Sequence, residues 1–69
     1  MESGYYFMVL HYGAKRRRML FEQASEECQD SAELIWQLEQ AADQQASMEE
    51  YLSYVTHRLS RAGYRLVTT

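Results

Sequence analysis

Few residues of this chain are equipped for chemistry. Cys28, His11 and His57 are its only thiol and imidazoles. A metal centre needs several such ligands in short-spaced groups, C-x-x-C or H-x-x-x-H, so that one turn or helix face delivers two at once. These three stand far apart in sequence, and no metal or cofactor is expected. A nucleophilic thiolate needs a paired base and a positive setting; Cys28 has Glu26, Glu27 and Asp30 as sequence neighbours. Carboxylates could act as general acid and base, but here they fall on polar helix faces and loops. A domain this small rarely encloses a cavity of the usual ~300 Å³ or more. Gly4, Gly13 and Gly63 are isolated, so no phosphate-cradling loop is present in the sequence. The expectation is a protein that is not an enzyme, with no catalytic residue.

Charge is the stronger signal. The chain has 7 Lys+Arg against 10 Asp+Glu, net −3. Residues 1–18 hold Glu2 against Lys15, Arg16, Arg17 and Arg18. Residues 19–50 hold Glu22, Glu26, Glu27, Asp30, Glu33, Glu39, Asp43, Glu49 and Glu50, with no Lys or Arg. Residues 51–69 hold Arg58, Arg61 and Arg65. An all-acidic middle is either a solvated surface that keeps a small protein dispersed or a surface that docks on a basic partner. Lys15–Arg18 beside Tyr12 is a candidate phosphate-binding tip; its structural alternative is an edge strand kept soluble by charge.

Trp36 is the most informative single residue. Helical spacing puts it almost opposite the apolar stripe of its helix, beside Glu39 and Asp43, with Ala32 one turn earlier. Either it packs on the loop 22–29 or on a neighbouring subunit, or it anchors a partner within an acidic rim. Trp36, Glu33, Glu39, Asp43 and Tyr54 are the candidate partner-binding residues.

The elements that position these groups follow from periodicity. Tyr5–Tyr12 is a nearly unbroken apolar and aromatic run, the pattern of a strand covered on both faces. Tyr5, Phe7, Val9 and His11 share one face; Tyr6, Met8, Leu10 and Tyr12 share the other. Gly13-Ala14 is a plausible turn, and Arg17–Glu22 reads as a second strand, although residues 14–28 also fit helical spacing through Leu20, Phe21, Ala24 and Cys28. Asp30 with Glu33, and Ser47 with Glu50, are capping-box pairs. The first opens a helix with the stripe Leu34, Ile35, Leu38, Ala41 and Ala42. The second opens a helix with the stripe Met48, Tyr51, Leu52, Val55, Leu59 and Ala62. Gln44–Ala46 joins them. Gly63 is a natural C′ residue, and Tyr64–Thr69 reads as a final strand.

The predicted architecture is one α+β domain over residues 1–69: a β-hairpin, an antiparallel two-helix hairpin and a short C-terminal strand, in the order ββααβ. Two helical stripes cover one sheet face. The other face of the first strand is left for a second copy, so a homodimer through Tyr5, Phe7, Val9 and His11 is expected. A single cysteine and the absence of a signal-like N-terminus or a ~20-residue apolar run suggest a cytoplasmic protein with no membrane partner.

With its acidic stretch Glu22–Glu50 and its hydrophobic strand Tyr5–Tyr12, the chain resembles the small proteins with which bacteriophages disable host regulators, specifically the quorum-sensing anti-activators of Pseudomonas phages. That resemblance implies a cytoplasmic host target, a transcriptional regulator of the LuxR type, with the pilus assembly ATPase as a second. It carries no functional residues with it. From the residues themselves the leading expectation is a dimeric inhibitor that masks the basic DNA-binding face of a regulator. The alternatives are a nucleic-acid-associated regulator using Lys15–Arg18, and a structural subunit whose strand completes another protein's sheet.

Overall fold

The computed structural model describes residues 5–68. Three strands and two α-helices follow in the order β1 (Tyr5–Tyr12), β2 (Lys15–Gln23), α1 (Ser31–Gln40), α2 (Met48–Arg61) and β3 (Tyr64–Thr68), with a 3₁₀ turn over Ala42–Gln44 between the helices. The sheet is antiparallel throughout, in spatial order β1-β2-β3, so β2 is central and β1 is an edge. Thr69, the predicted last residue of the final strand, lies outside the described residues.

The hairpin turns on Gly13, whose φ of 63° is the positive value that a two-residue loop requires at its first position. Ala14 keeps a negative φ, the pattern of a type II′ turn. Every residue of β1 has a partner on β2, from Tyr5 opposite Glu22 to Tyr12 opposite Lys15. This corrects the predicted start of β2 at Arg17. Lys15 and Arg16 are drawn into the ladder because β1 runs unbroken to the turn and its backbone groups need partners. The helical alternative for residues 14–28 is likewise set aside in favour of a strand and a loop.

Strand alternation then decides what is buried. Met8 and Leu10 of β1 and Met19 and Phe21 of β2 face the helices and are buried. Tyr5, Phe7, Val9 and His11 face away and are exposed. Within one chain, β1 is therefore covered on one face, where its continuous apolar run had suggested two.

The helical layer comes in two pieces with a bend between them. Asp30 caps α1 by accepting the Glu33 amide at 3.1 Å, and Ser47 caps α2 by accepting the Glu50 amide at 3.2 Å. The Glu50 carboxylate reaches back to the Ala46 amide, one residue earlier than the usual reciprocal partner. Leu34 and Leu38 of α1, and Met48, Tyr51, Val55 and Leu59 of α2, form the buried stripes. Three contacts join the two pieces. The Gln29 amide bonds the Ala62 carbonyl, Arg58 meets Gln37, and the buried Tyr51 hydroxyl donates to the Leu38 carbonyl at 3.1 Å. Helix α1 ends sooner than its periodicity suggested. Ala41 is its C-cap, and the Ala42–Gln44 turn tightens into the connection. The Tyr12 hydroxyl donates to the Gln45 carbonyl, tying that connection to the tip of the hairpin.

At the other end, Gly63 has φ 94°, and its missing side chain is required by space as well as by conformation. A Cβ there would lie 2.8 Å from both the Cys28 Cβ and the Glu27 carbonyl oxygen. The Ala24 amide bonds the Gly63 carbonyl. The loop after β2 thus closes against the helix-to-strand corner and delivers β3 beside β2. Tyr6, Phe21 and Tyr64 meet there as an aromatic cluster, with ring centroids 5.3–5.5 Å apart.

Candidate functional site

Two surfaces emerge from this frame, one on each layer. The first belongs to α1. Trp36 is 60% exposed. With that much of its surface open, the described part of the chain does not bury it, against the predicted packing on the loop 22–29. Helical geometry sets Glu33 and Glu39 one turn to either side of it, and both are exposed. Glu33 accepts from Gln37 Nε2 at 3.4 Å, which steadies that end of the rim. Gln37 in turn accepts from Arg58 at 2.6 Å and from Gln29 at 3.0 Å, joining α1, α2 and the preceding loop.

Asp43 does not continue the same helical row. It lies in the 3₁₀ turn past the end of α1, exposed, so the α-helical projection that grouped it with Trp36 does not apply. Tyr54 is on α2, half-buried and packed against the core. Of the five predicted partner-binding residues, three share the exposed turns of α1 and two are set apart.

The second surface is the outer face of the sheet. Tyr5, Phe7, Val9 and Val67 are exposed there, at 61, 55, 38 and 44%. The register sets Val9 opposite Arg18 and His11 opposite Arg16. The Arg18 guanidinium lies over the Phe7 ring, 5.0 Å from its centroid. At the end near Tyr5, Glu22 is buried and ion-paired with the more exposed Arg65. One member of the all-acidic middle is thus taken up by a base of the C-terminal segment.

The predicted Lys15–Arg18 tip is divided by the strand. Arg16 and Arg18 belong to the outer face, whereas Lys15 and Arg17 pair with Tyr12 and Leu10 and lie on the opposite one. All four are exposed, but they do not form a single cluster.

An open groove of about 550 Å³ is a feature the sequence did not suggest. Ala24, Ser25, Thr56, Ser60, Gly63, Tyr64, Arg65 and Leu66 line it. It exists because Gly63 lets the loop after β2 approach the α2–β3 corner. Its polar lining is hydroxyls and one guanidinium, and the carboxylates lie elsewhere. Thr56 spends its hydroxyl on the Leu52 carbonyl.

Cys28 is half-buried against the core and accepts from Gln23 Nε2. The Tyr64 hydroxyl donates to the Gln29 carbonyl at 2.6 Å. Burial, together with Cys28, pushes the Tyr64 phenol up to about 12; burial and the nearby Glu39 raise that of Tyr51 as well. Among the described residues, no three His, Cys, Asp or Glu side chains gather as they would around a metal ion. No helix among them is long and apolar enough to cross a membrane.

No protein-family model, curated protein or solved structure matches this chain.

Proposed function

We propose that this protein is a non-enzymatic inhibitor that works by binding, capturing a basic protein partner through the acidic α1 surface centred on Trp36. The observation that carries the reading is the 60% exposure of the one tryptophan, on a capped and packed helix, between Glu33 and Glu39. A large rigid side chain held in water contributes nothing to the core, yet is the kind of residue that dominates binding energy when a partner covers it. The carboxylates around it select for positive charge and speed encounter. A partner of that chemistry is the DNA-binding face of a transcriptional regulator, of the LuxR type by the resemblance noted above, in a host cytoplasm.

The test is a regulator–DNA mobility shift with the purified protein added. Release of the DNA by the wild type, and at least about tenfold weaker release by Trp36→Ala or by Glu33→Lys with Glu39→Lys, supports the reading. Equal potency of all three proteins removes this surface from it.

The same reading includes a homodimer along the edge of β1. Tyr5–Tyr12 has no Lys, Arg, Asp, Glu or Pro, the features by which edge strands usually resist pairing. Antiparallel pairing of two β1 strands would set Tyr5, Phe7, Val9 and His11 of both copies side by side. Stacking two sheet faces instead would crowd Arg16 and Arg18 against their copies, with Glu22 already committed to Arg65. Sedimentation equilibrium at micromolar concentration tests it: a dimer is expected, and a monomer removes the edge pairing while leaving the Trp36 surface untouched.

A further inference from the structure

The outer sheet face combines three things that the Trp36 surface does not use and that pairing along the β1 edge would leave uncovered. First, aromatic rings: Tyr5 and Phe7, two apart on β1, both more than half exposed. Second, positive charge: Arg16 and Arg18 on the adjoining strand. Third, a lack of free negative charge among the described residues: the one carboxylate they place on this face, Glu22, is buried and paired with Arg65. The net charge of the chain hides this, because the other described acids lie on α1, the 3₁₀ turn, the first turn of α2 and the loop after β2.

We propose that this face binds single-stranded nucleic acid, with bases stacking on Tyr5, Phe7 and the Arg18 guanidinium while Arg16 meets a phosphate. Charge complementarity selects an anionic occupant over a second copy of the same basic face. The exposed rings select an anion that offers π-faces, and unpaired bases do so where a duplex keeps its bases stacked inside. The Arg18 Cζ already lies 5.0 Å from the Phe7 ring centroid, so the cation and the ring that a base would meet stand together. Lys15 and Arg17, exposed on the other side of the same strand, extend the positive potential around the hairpin tip without crowding the rings. This surface is on the opposite layer from Trp36 and does not depend on the inhibitor reading.

Fluorescence anisotropy with labelled twelve-nucleotide oligo-uridylate and oligo-thymidylate tests it. The expected result is saturable binding that weakens steeply with salt. Phe7→Ala should weaken it by about tenfold, in line with the value of one stacked base. Arg16→Gln with Arg18→Gln should weaken it further and flatten the salt slope by about 0.7, the value of the single phosphate contact that Arg16 makes on a single strand. Trp36→Ala should bind as the wild type does. Phe7→Leu keeps the strand apolar and serves as the check that lost binding follows the ring and not the fold; it should behave like Phe7→Ala. Absence of binding at low salt overturns the proposal. So does equal affinity for a duplex of the same length with Phe7→Ala unaffected, which would mean diffuse electrostatic attraction. Binding of poly-glutamate without any affinity for the oligonucleotides would assign the face to an acidic protein instead.

Discussion

The Arg58 guanidinium of α2 donates to the Gln37 amide oxygen of α1 at 2.6 Å. The same oxygen accepts from Gln29, and the Gln37 nitrogen donates to Glu33. One neutral side chain therefore fastens two helices and the loop before them, next to the turn that carries Trp36. Gln37→Ala would leave Arg58 half-buried without this acceptor. It should cost about 1–2 kcal/mol in urea unfolding, with little change in the slope of the transition. Gln37→Glu should recover only part of the loss, because a carboxylate accepts from Arg58 more strongly but faces the Glu33 carboxylate to which the amide had donated.

Gly63 admits no side chain. Gly63→Ala would place a methyl group 2.8 Å from the Cys28 Cβ and the Glu27 carbonyl, at φ 94°. About 2 kcal/mol or more of stability should be lost in chemical denaturation. Gly13→Ala has the same kind of φ but nothing within 4 Å, so it carries the conformational cost alone and should be the milder change.

Tyr64 predicts an alkaline limb. Its phenol titrates near 10 in an unfolded chain and is pushed up to about 12 in the folded one. The folded state thus holds a proton that the unfolded state releases, so this contribution is intact below about pH 10 and is lost as pH rises from 10 to 12. Tyr51, also raised, acts in the same direction. The thermal midpoint should be level through neutral pH and then fall over that window. Tyr64→Phe should begin lower, having lost the bond to Gln29, and fall less steeply.

Trp36 should be silent in folding and prominent in spectroscopy. With 60% of its surface exposed, Trp36→Ala should change stability by no more than about 0.5 kcal/mol. The emission of the native protein should sit close to that of the unfolded chain, and acrylamide should quench it readily. A blue-shifted, protected signal in the free protein would mean that a second copy already covers the ring.

The chain's local signals were enough for most of its elements. Tyr5–Tyr12 is a strand with the bounds its apolar run implied, because strand formers end at Gly13. Met48–Arg61 is a helix bounded by Ser47 and Gly63, because a cap and a left-handed glycine act on their own neighbours. The two faces of β1 also separate as alternation requires, since the pleat has a period of two. Three other matters depended on partners distant in sequence. The start of β2 at Lys15 comes from the backbone needs of β1 across the ladder. The end of α1 at Gln40 goes with a connection that Tyr12 ties to the hairpin tip, and this separates Asp43 from Trp36. The pairing of Glu22 with Arg65, which leaves Arg16 and Arg18 as the uncommitted charges of the outer sheet face among the described residues, requires β3 to lie beside β2. Composition and spacing act within a few residues, so they determined the elements and their faces; which charges meet, and which surface is left bare, is decided only when strands far apart in sequence come into register.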